Sequence, residues 1–160
     1  MERKATAYWR GSLQRGRGDV TTASGVLKNI PYSYSTRFEN APGTNPEELI
    51  AAAHASCFSM ALSAALGSAG FEPKALDVSA TVELIKEPAG FTIRSSKLKL
   101  RAQVPGIEID KFNAIAEDAK KNCPVSKLLN AEITLDSRLE GAANPTTSTK
   151  PSNGAQSSAV

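Results

Sequence analysis

The sequence predicts an α+β fold in which antiparallel sheet elements surround one long central helix. Three observations predict it. Several short segments alternate apolar and polar residues with period two, and one stretch from Leu49 to Ala69 is apolar at helical length behind a helix-start signal. The third is the order in which these segments follow one another, βββ-α-ββ-α-α-β. A chain of 160 residues with 41% hydrophobic residues is long enough for one domain with a real core, and a second independent domain is not expected.

Alternation at Ala5, Ala7 and Trp9, then around Val20 and Thr22, then at Tyr32, Tyr34, Thr36 and Phe38, predicts a three-stranded meander with Gly-rich turns. Thr44-Asn45-Pro46-Glu47-Glu48 then starts a helix, with Asn45 as N-cap, Pro46 at the first helical position and Glu48 placed to close a capping box. This helix should run to about Ser68 and end at Gly70. It is apolar nearly all round, which implies packing on every side by other elements or by a partner chain. Leu76, Val78, Ala80, Val82 and Leu84, then Phe91, Ile93, Leu98 and Leu100, read as a hairpin turning through Glu87-Pro88-Ala89-Gly90. Asp110 is placed to cap a second helix carrying Phe112, Ile115, Ala116 and Ala119 at helical spacing. Cys123-Pro124 interrupts it, because Pro124 cannot continue the ladder but fits the first turn of a new short helix through Leu129. Ile133, Leu135 and Leu139 suggest the last strand. The folded domain is thus expected over 1–140. From Gly141 onward almost no large apolar residue remains, so 141–160 reads as a flexible low-complexity tail.

Composition removes several function classes. A net charge of +3 is too small to imply nucleic acid, and Arg10, Arg15 and Arg17 read as a solvated hairpin tip. The N-terminus passes from charges directly into alternation without the apolar core of a secretory signal, so a cytoplasmic location is expected. The stretch from Leu49 to Ala69 is broken by His54 and several serines and is mostly alanine, which favours a buried core helix over a membrane span. No internal repeat and no glycine-rich phosphate loop is present.

Chemistry therefore rests on the two cysteines, Cys57 and Cys123. In a reducing compartment they are not a permanent staple, which leaves redox, catalytic, metal-binding or packing roles. Cys57 lies deep in the first long helix, where an unpaired cysteine commonly serves as a small buried hydrophobe. Cys123 precedes a proline at a helix N-terminus, where free backbone N–H groups and the positive dipole end activate a thiol. On that ground Cys123 is the better nucleophile, and Cys57 needs a nearby cation to compete. His54 lies one turn before Cys57, which raises a cysteine–histidine nucleophile and a zinc site. One His and two Cys fall short of a four-ligand structural zinc, although catalytic sites do use that three-ligand set. A papain-like arrangement needs its His downstream of the nucleophile, and the single His precedes Cys57. His54 is accordingly expected to be a hydrogen-bonded core or interface residue. Phe38, Phe58 and Phe112 are expected in the core, with some available to line an apolar pocket.

Four segments carry a resemblance: Thr36-Arg37-Phe38-Glu39, Gly43-Thr44-Asn45-Pro46-Glu47-Glu48-Leu49-Ile50, Ala52-Ala53-His54-Ala55-Ser56-Cys57-Phe58-Ser59-Met60-Ala61-Leu62 and Asn122-Cys123-Pro124-Val125-Ser126. With Val104-Pro105-Gly106-Ile107 and Ala131-Glu132-Ile133-Thr134-Leu135-Asp136, they resemble the OsmC branch of the OsmC/Ohr organic hydroperoxide resistance family, from about Lys4 to Leu139. The resemblance implies an intertwined homodimer with active sites at its interface. It also implies a two-cysteine peroxidase in which the residue matching Cys57 attacks the peroxide, the residue matching Cys123 resolves the product, and Arg37 and Glu47 complete the site. This reverses the ranking of the cysteines by helix dipole, since a guanidinium brought in by folding outweighs a helix-end partial charge. Fatty-acid or alkyl hydroperoxides and an external, lipoyl-type dithiol are the implied reactants, with no bound cofactor and no metal. Two rival readings use the same residues: a thiol redox sensor or small-molecule binding module without turnover, and a dimerisation protein with inert cysteines.

Overall fold

The computed structural model describes residues 1–141 and 146–150. It divides into two compact units, Met1–Leu49 and the chain from Ile50 onward.

In the first unit β1 (Ala5–Arg10), β2 (Arg17–Thr22) and β3 (Ile30–Ser33) form the expected antiparallel meander in the order β1-β2-β3. Trp9, Gly18 and Tyr32 face one another across the three strands. The absent side chain at Gly18 lets the two aromatic rings meet over it, with centroids 5.5 Å apart, and a Cβ there would overlap the Tyr32 ring. The alternation expected to continue through Phe38 does not: Tyr34–Phe38 is a helical turn, α1. Ser33 starts it through a reciprocal capping box, its hydroxyl accepting from the Thr36 N–H (3.3 Å) while the Thr36 hydroxyl accepts from the Ser33 N–H (2.9 Å). Tyr34 and Phe38 then stack at i,i+4, with centroids 4.8 Å apart.

Helix α2 (Pro46–Ser68) starts as its sequence signals, with the Asn45 side-chain oxygen accepting from the Glu48 N–H at 2.8 Å. The Asn45 amide donates to the Thr36 carbonyl (3.1 Å), tying α1 to the start of α2. The expected capping box is not closed: the Glu48 carboxylate accepts from the Thr44 hydroxyl (3.1 Å) instead of from the Asn45 N–H. At the other end Gly70, at φ +85°, closes a Schellman motif: the Phe71 N–H reaches the Leu66 carbonyl and the Gly70 N–H reaches the Gly67 carbonyl.

In the second unit β4 (Ala75–Glu87) and β5 (Gly90–Gln103) form the expected hairpin. Glu83 pairs with Ser95 and Leu84 with Ile93, so Arg94 is the extra residue of a bulge. The bulge explains why the apolar phase changes from Phe91 and Ile93 to Leu98 and Leu100. Helix α3 (Ile109–Asn122) begins one residue before the expected cap, with Asp110 as an acidic first-turn residue and Glu108 at the cap position without a side-chain bond. Cys123 ends α3 and begins α4 (Pro124–Leu128), its extended ψ of 124° set by the following proline. The α3–α4 connection carries the chain across the sheet, so β6 (Glu132–Leu139) joins β5 in parallel, the one pairing among the described residues that is not antiparallel. Within the segment expected as a tail, Thr146–Lys150 forms β7, antiparallel to β6; residues 142–145 and 151–160 lie outside the described residues.

The core gathers Phe58, Leu62 and Leu66 of α2, Leu98 and Leu100 of β5, Phe112 and Ala116 of α3, and Ile133 and Leu135 of β6. Helix α2 is long and apolar enough to cross a membrane by composition, with mean hydropathy 1.7. Only His54, Phe58, Leu62 and Leu66 are buried along it, while Met60 on another side is 73% exposed. The chain by itself thus covers one face of α2 and not its whole girth. Replacing Leu62 by Ala should cost about 2–5 kcal/mol, because Leu62 is wholly buried in the core shared by α2, β5, α3 and β6 and its truncation leaves a cavity there. Urea unfolding would check this, and a change below about 1 kcal/mol would mean the packing is looser than described.

Candidate active site

The site of the second unit is built where α2 meets the α3–α4 junction. Cys57 flanks the buried row of α2 and is half-buried, whereas Cys123 is wholly buried. Their sulfurs lie 3.2 Å apart, with the Cys123 thiol donating to the Cys57 sulfur, and both are free thiols. A disulfide between them needs a two-electron oxidant and the closing of that gap to about 2.05 Å.

Burial pushes the Cys57 thiol above its ordinary range, because a thiolate there loses solvation. The backbone N–H of Val125 pulls the other way by bonding the sulfur, and the neighbouring Cys123 thiol adds a further upward push. Val125 occupies the first turn of α4, so its amide is one of the free donors that helix starts supply. The helix start expected to act on Cys123 thus places an amide against Cys57, where it offsets part of the upward push of burial. The amide serves Cys57, not Cys123, whose side chain makes no cap hydrogen bond and points to its partner sulfur. The cation that Cys57 requires is not supplied by this amide.

His54 is buried as expected, its Nδ1 within 2.7 Å of the Ser96 hydroxyl and its Nε2 within 2.9 Å of the Ser126 hydroxyl. Both ring nitrogens are taken, so His54 pairs with neither cysteine as base or co-ligand. Burial lowers its pKa, keeping the ring neutral. Among the described residues no group of three or more His, Cys, Asp and Glu side chains is arranged to hold a metal ion. The two serines were not singled out in the sequence, since a serine carries no signal of its distant partner.

In the first unit Arg37 and Glu47 form a bidentate ion pair. Nη2 donates to Oε1 at 2.7 Å, and Nε donates to both carboxylate oxygens at 3.2 Å. The helical turn of α1 aims Arg37 at the first turn of α2, where the acidic bias of helix starts places Glu47. The guanidinium also lies over the Phe38 ring, 5.2 Å from its centroid. Arg37 and Phe38 border a cavity of about 270 Å³ whose other walls include Trp9, Leu13, Tyr32, Tyr34 and Pro46. Phe38 thus lines an apolar cavity, while Phe58 and Phe112 are core residues.

Residues 38–138 match the family model of OsmC-like proteins. The chain is 54% identical over 140 residues to Peroxiredoxin OsmC of Escherichia coli, covering 88% of this chain and 98% of that protein. The crystal structure of the organic hydroperoxide resistance protein OhrB of Bacillus subtilis is similar, with a TM-score of 0.61 and 25% identity over 86% of this chain and 98% of that one. An organic hydroperoxide resistance protein from Elizabethkingia anophelis aligns with a TM-score of 0.63 and 27% identity, covering 85% of this chain and 94% of its own.

Proposed function

Because the chain belongs to the OsmC-like protein family, we propose that it is a thiol-dependent peroxidase reducing organic hydroperoxides to alcohols, with Cys57 as the attacking thiol and Cys123 as the resolving one. The observation that carries the reading is the pair of free thiols 3.2 Å apart, one half-buried and one wholly buried. The more accessible sulfur meets the peroxide, and the sheltered one is held for the second step. The Cys57 thiolate attacks the outer peroxidic oxygen; an S–O bond forms, the O–O bond breaks, and the alkoxide leaves and takes up a proton to become the alcohol. Cys57 is then a sulfenic acid. The Cys123 sulfur displaces its hydroxyl, forming the Cys57–Cys123 disulfide and releasing water. An external dithiol returns both cysteines to thiols and is itself oxidised to a disulfide, so no resident cofactor enters the cycle. A lipoyl-type dithiol fits this step, because its second thiol completes the exchange within one molecule.

Arg37 is the cation that Cys57 requires, favouring the thiolate and the charge that develops on the leaving alkoxide. Glu47 orients it. The support for this is the bidentate pair, which engages Nε and Nη2 and does not take up Nη1. The protein works in the cytoplasm as a homodimer; the exposed apolar residues of α2, Met60 among them, support the second copy.

The aromatic cavity beside Arg37 favours a substrate with an alkyl or aryl body over small, hydrated hydrogen peroxide. Cumene hydroperoxide should give a kcat/KM at least about tenfold above that for hydrogen peroxide, the factor worth about two buried methylene groups. Steady-state rates with excess dithiol test this. Equal efficiencies for both peroxides would remove the apolar cavity from the substrate site.

A further inference from the structure

The neutral, wholly buried His54 takes no part in the two-cysteine chemistry, yet it lies between the elements that carry it. Its Nδ1 contact to Ser96 anchors the ring on β5, and its Nε2 contact to Ser126 reaches α4. Ser126 lies in the same helical turn as Val125, whose amide bonds the Cys57 sulfur, and three residues beyond Cys123. His54 itself precedes Cys57 by three residues on α2, so one rigid ring links the helix of the first sulfur to the turn of the second. We propose that His54 is a positioning residue for the two-thiol reaction, clamping the turn of residues 123–126 onto α2 so that Cys123 and the Val125 amide face Cys57. The inference rests on the two-thiol reading above. The cysteines are 66 positions apart, and α4 is a single short helix opening on Pro124, tied to α2 also through the Cys123 thiol and the Val125 amide, both on the Cys57 sulfur. The imidazole suits this task because a neutral ring offers one donor and one acceptor, and a serine hydroxyl matches either.

The test uses two substitutions of similar polarity that keep different halves of the clamp. In His54→Gln the longer side chain carries its amide to the reach of Nε2 and keeps Ser126. In His54→Asn the shorter one keeps Ser96 and releases Ser126. Ser126→Ala breaks the same contact while leaving the ring in place. Equilibration of each protein with reduced and oxidised dithiothreitol measures how favourably the two cysteines join, and thiolate absorbance against pH gives the Cys57 titration. His54→Asn and Ser126→Ala should each lower the disulfide-forming equilibrium constant by about tenfold, a rise of about 30 mV for a two-electron couple. The Cys57 titration should move to higher pH in both. His54→Gln should stay within about threefold of the parent protein. Equal loss in the Gln and Asn variants would show His54 to be packing alone and overturn the proposal. Parent-like values in Ser126→Ala would do the same. Neither readout uses a hydroperoxide, so a failed peroxidase assay and a failed clamp are separate results.

Discussion

Replacing Cys57 by serine is expected to reduce hydroperoxide consumption to the uncatalysed background, while Cys123→Ser consumes one equivalent and stops with Cys57 as a sulfenic acid. A serine hydroxyl forms no appreciable anion at neutral pH and has no accessible oxidised state, so the first step has no substitute. The second variant keeps the attacking sulfur, the Val125 amide and the apolar surroundings, and loses only the sulfur 3.2 Å away that would displace the hydroxyl. Trapping with a sulfenate-selective reagent, followed by peptide mass spectrometry, locates the oxidised residue. A sulfenate on Cys123 in the Cys57→Ser protein, with one equivalent of peroxide consumed, would exchange the two roles and favour the helix-end ranking read from sequence.

Replacing Arg37 by methionine has the next largest expected effect, a fall of about 10²–10³ in kcat, the loss typical of removing one aimed donor from a developing charge. The sign of the accompanying pH shift follows from the Cys57 environment. Burial and the Cys123 thiol already push that thiol up, so it becomes a thiolate only at higher pH. A cation opposes this, and losing it moves the rate–pH profile of the first peroxide step further up. Glu47→Gln should act in the same direction but more weakly, because the guanidinium remains and loses only its bidentate tether. Stopped-flow rates of a single turnover across pH separate the variants, and a profile in Arg37→Met that matches the parent protein would exclude Arg37 from the site.

The parts of this fold that were legible in the sequence are those decided within a few residues. The Asn45 cap, Pro46 at the first turn, the Gly70 termination and the break at Pro124 each depend on neighbours three or four positions away, and each stands as read. The stretch from Tyr32 to Phe38 was read as strand because a spacing of two also contains the i,i+4 pair Tyr34 and Phe38. The Ser33–Thr36 capping box decided for helix, with the aromatic stacking behind it. The parallel pairing of β5 with β6 depends on where two helices carry the chain, which no local pattern records. The site divides in the same way. The activating helix start at Pro124 was visible, but its recipient was not, since Val125 and Cys57 belong to segments brought together only by folding. His54 was legible as a hydrogen-bonded core residue; its partners Ser96 and Ser126, 42 and 72 positions away, were not. The meeting of Cys57 with Cys123 and the place of Arg37 and Glu47 in one site were expectations from family resemblance, because neither residue spacing nor composition brings those side chains together.

The most direct test of the two-cysteine peroxidase is a count of cumene hydroperoxide consumed per protein chain with dithiol in large excess, read together with the thiols left free when dithiol is withheld. Many equivalents are expected to be consumed with dithiol. Without it, one equivalent is consumed, with both Cys57 and Cys123 lost to thiol reagents as a single intramolecular disulfide. Consumption that stops at one equivalent despite excess dithiol would identify a sensor instead of an enzyme, and two thiols still free after peroxide would contradict the redox role of the pair altogether.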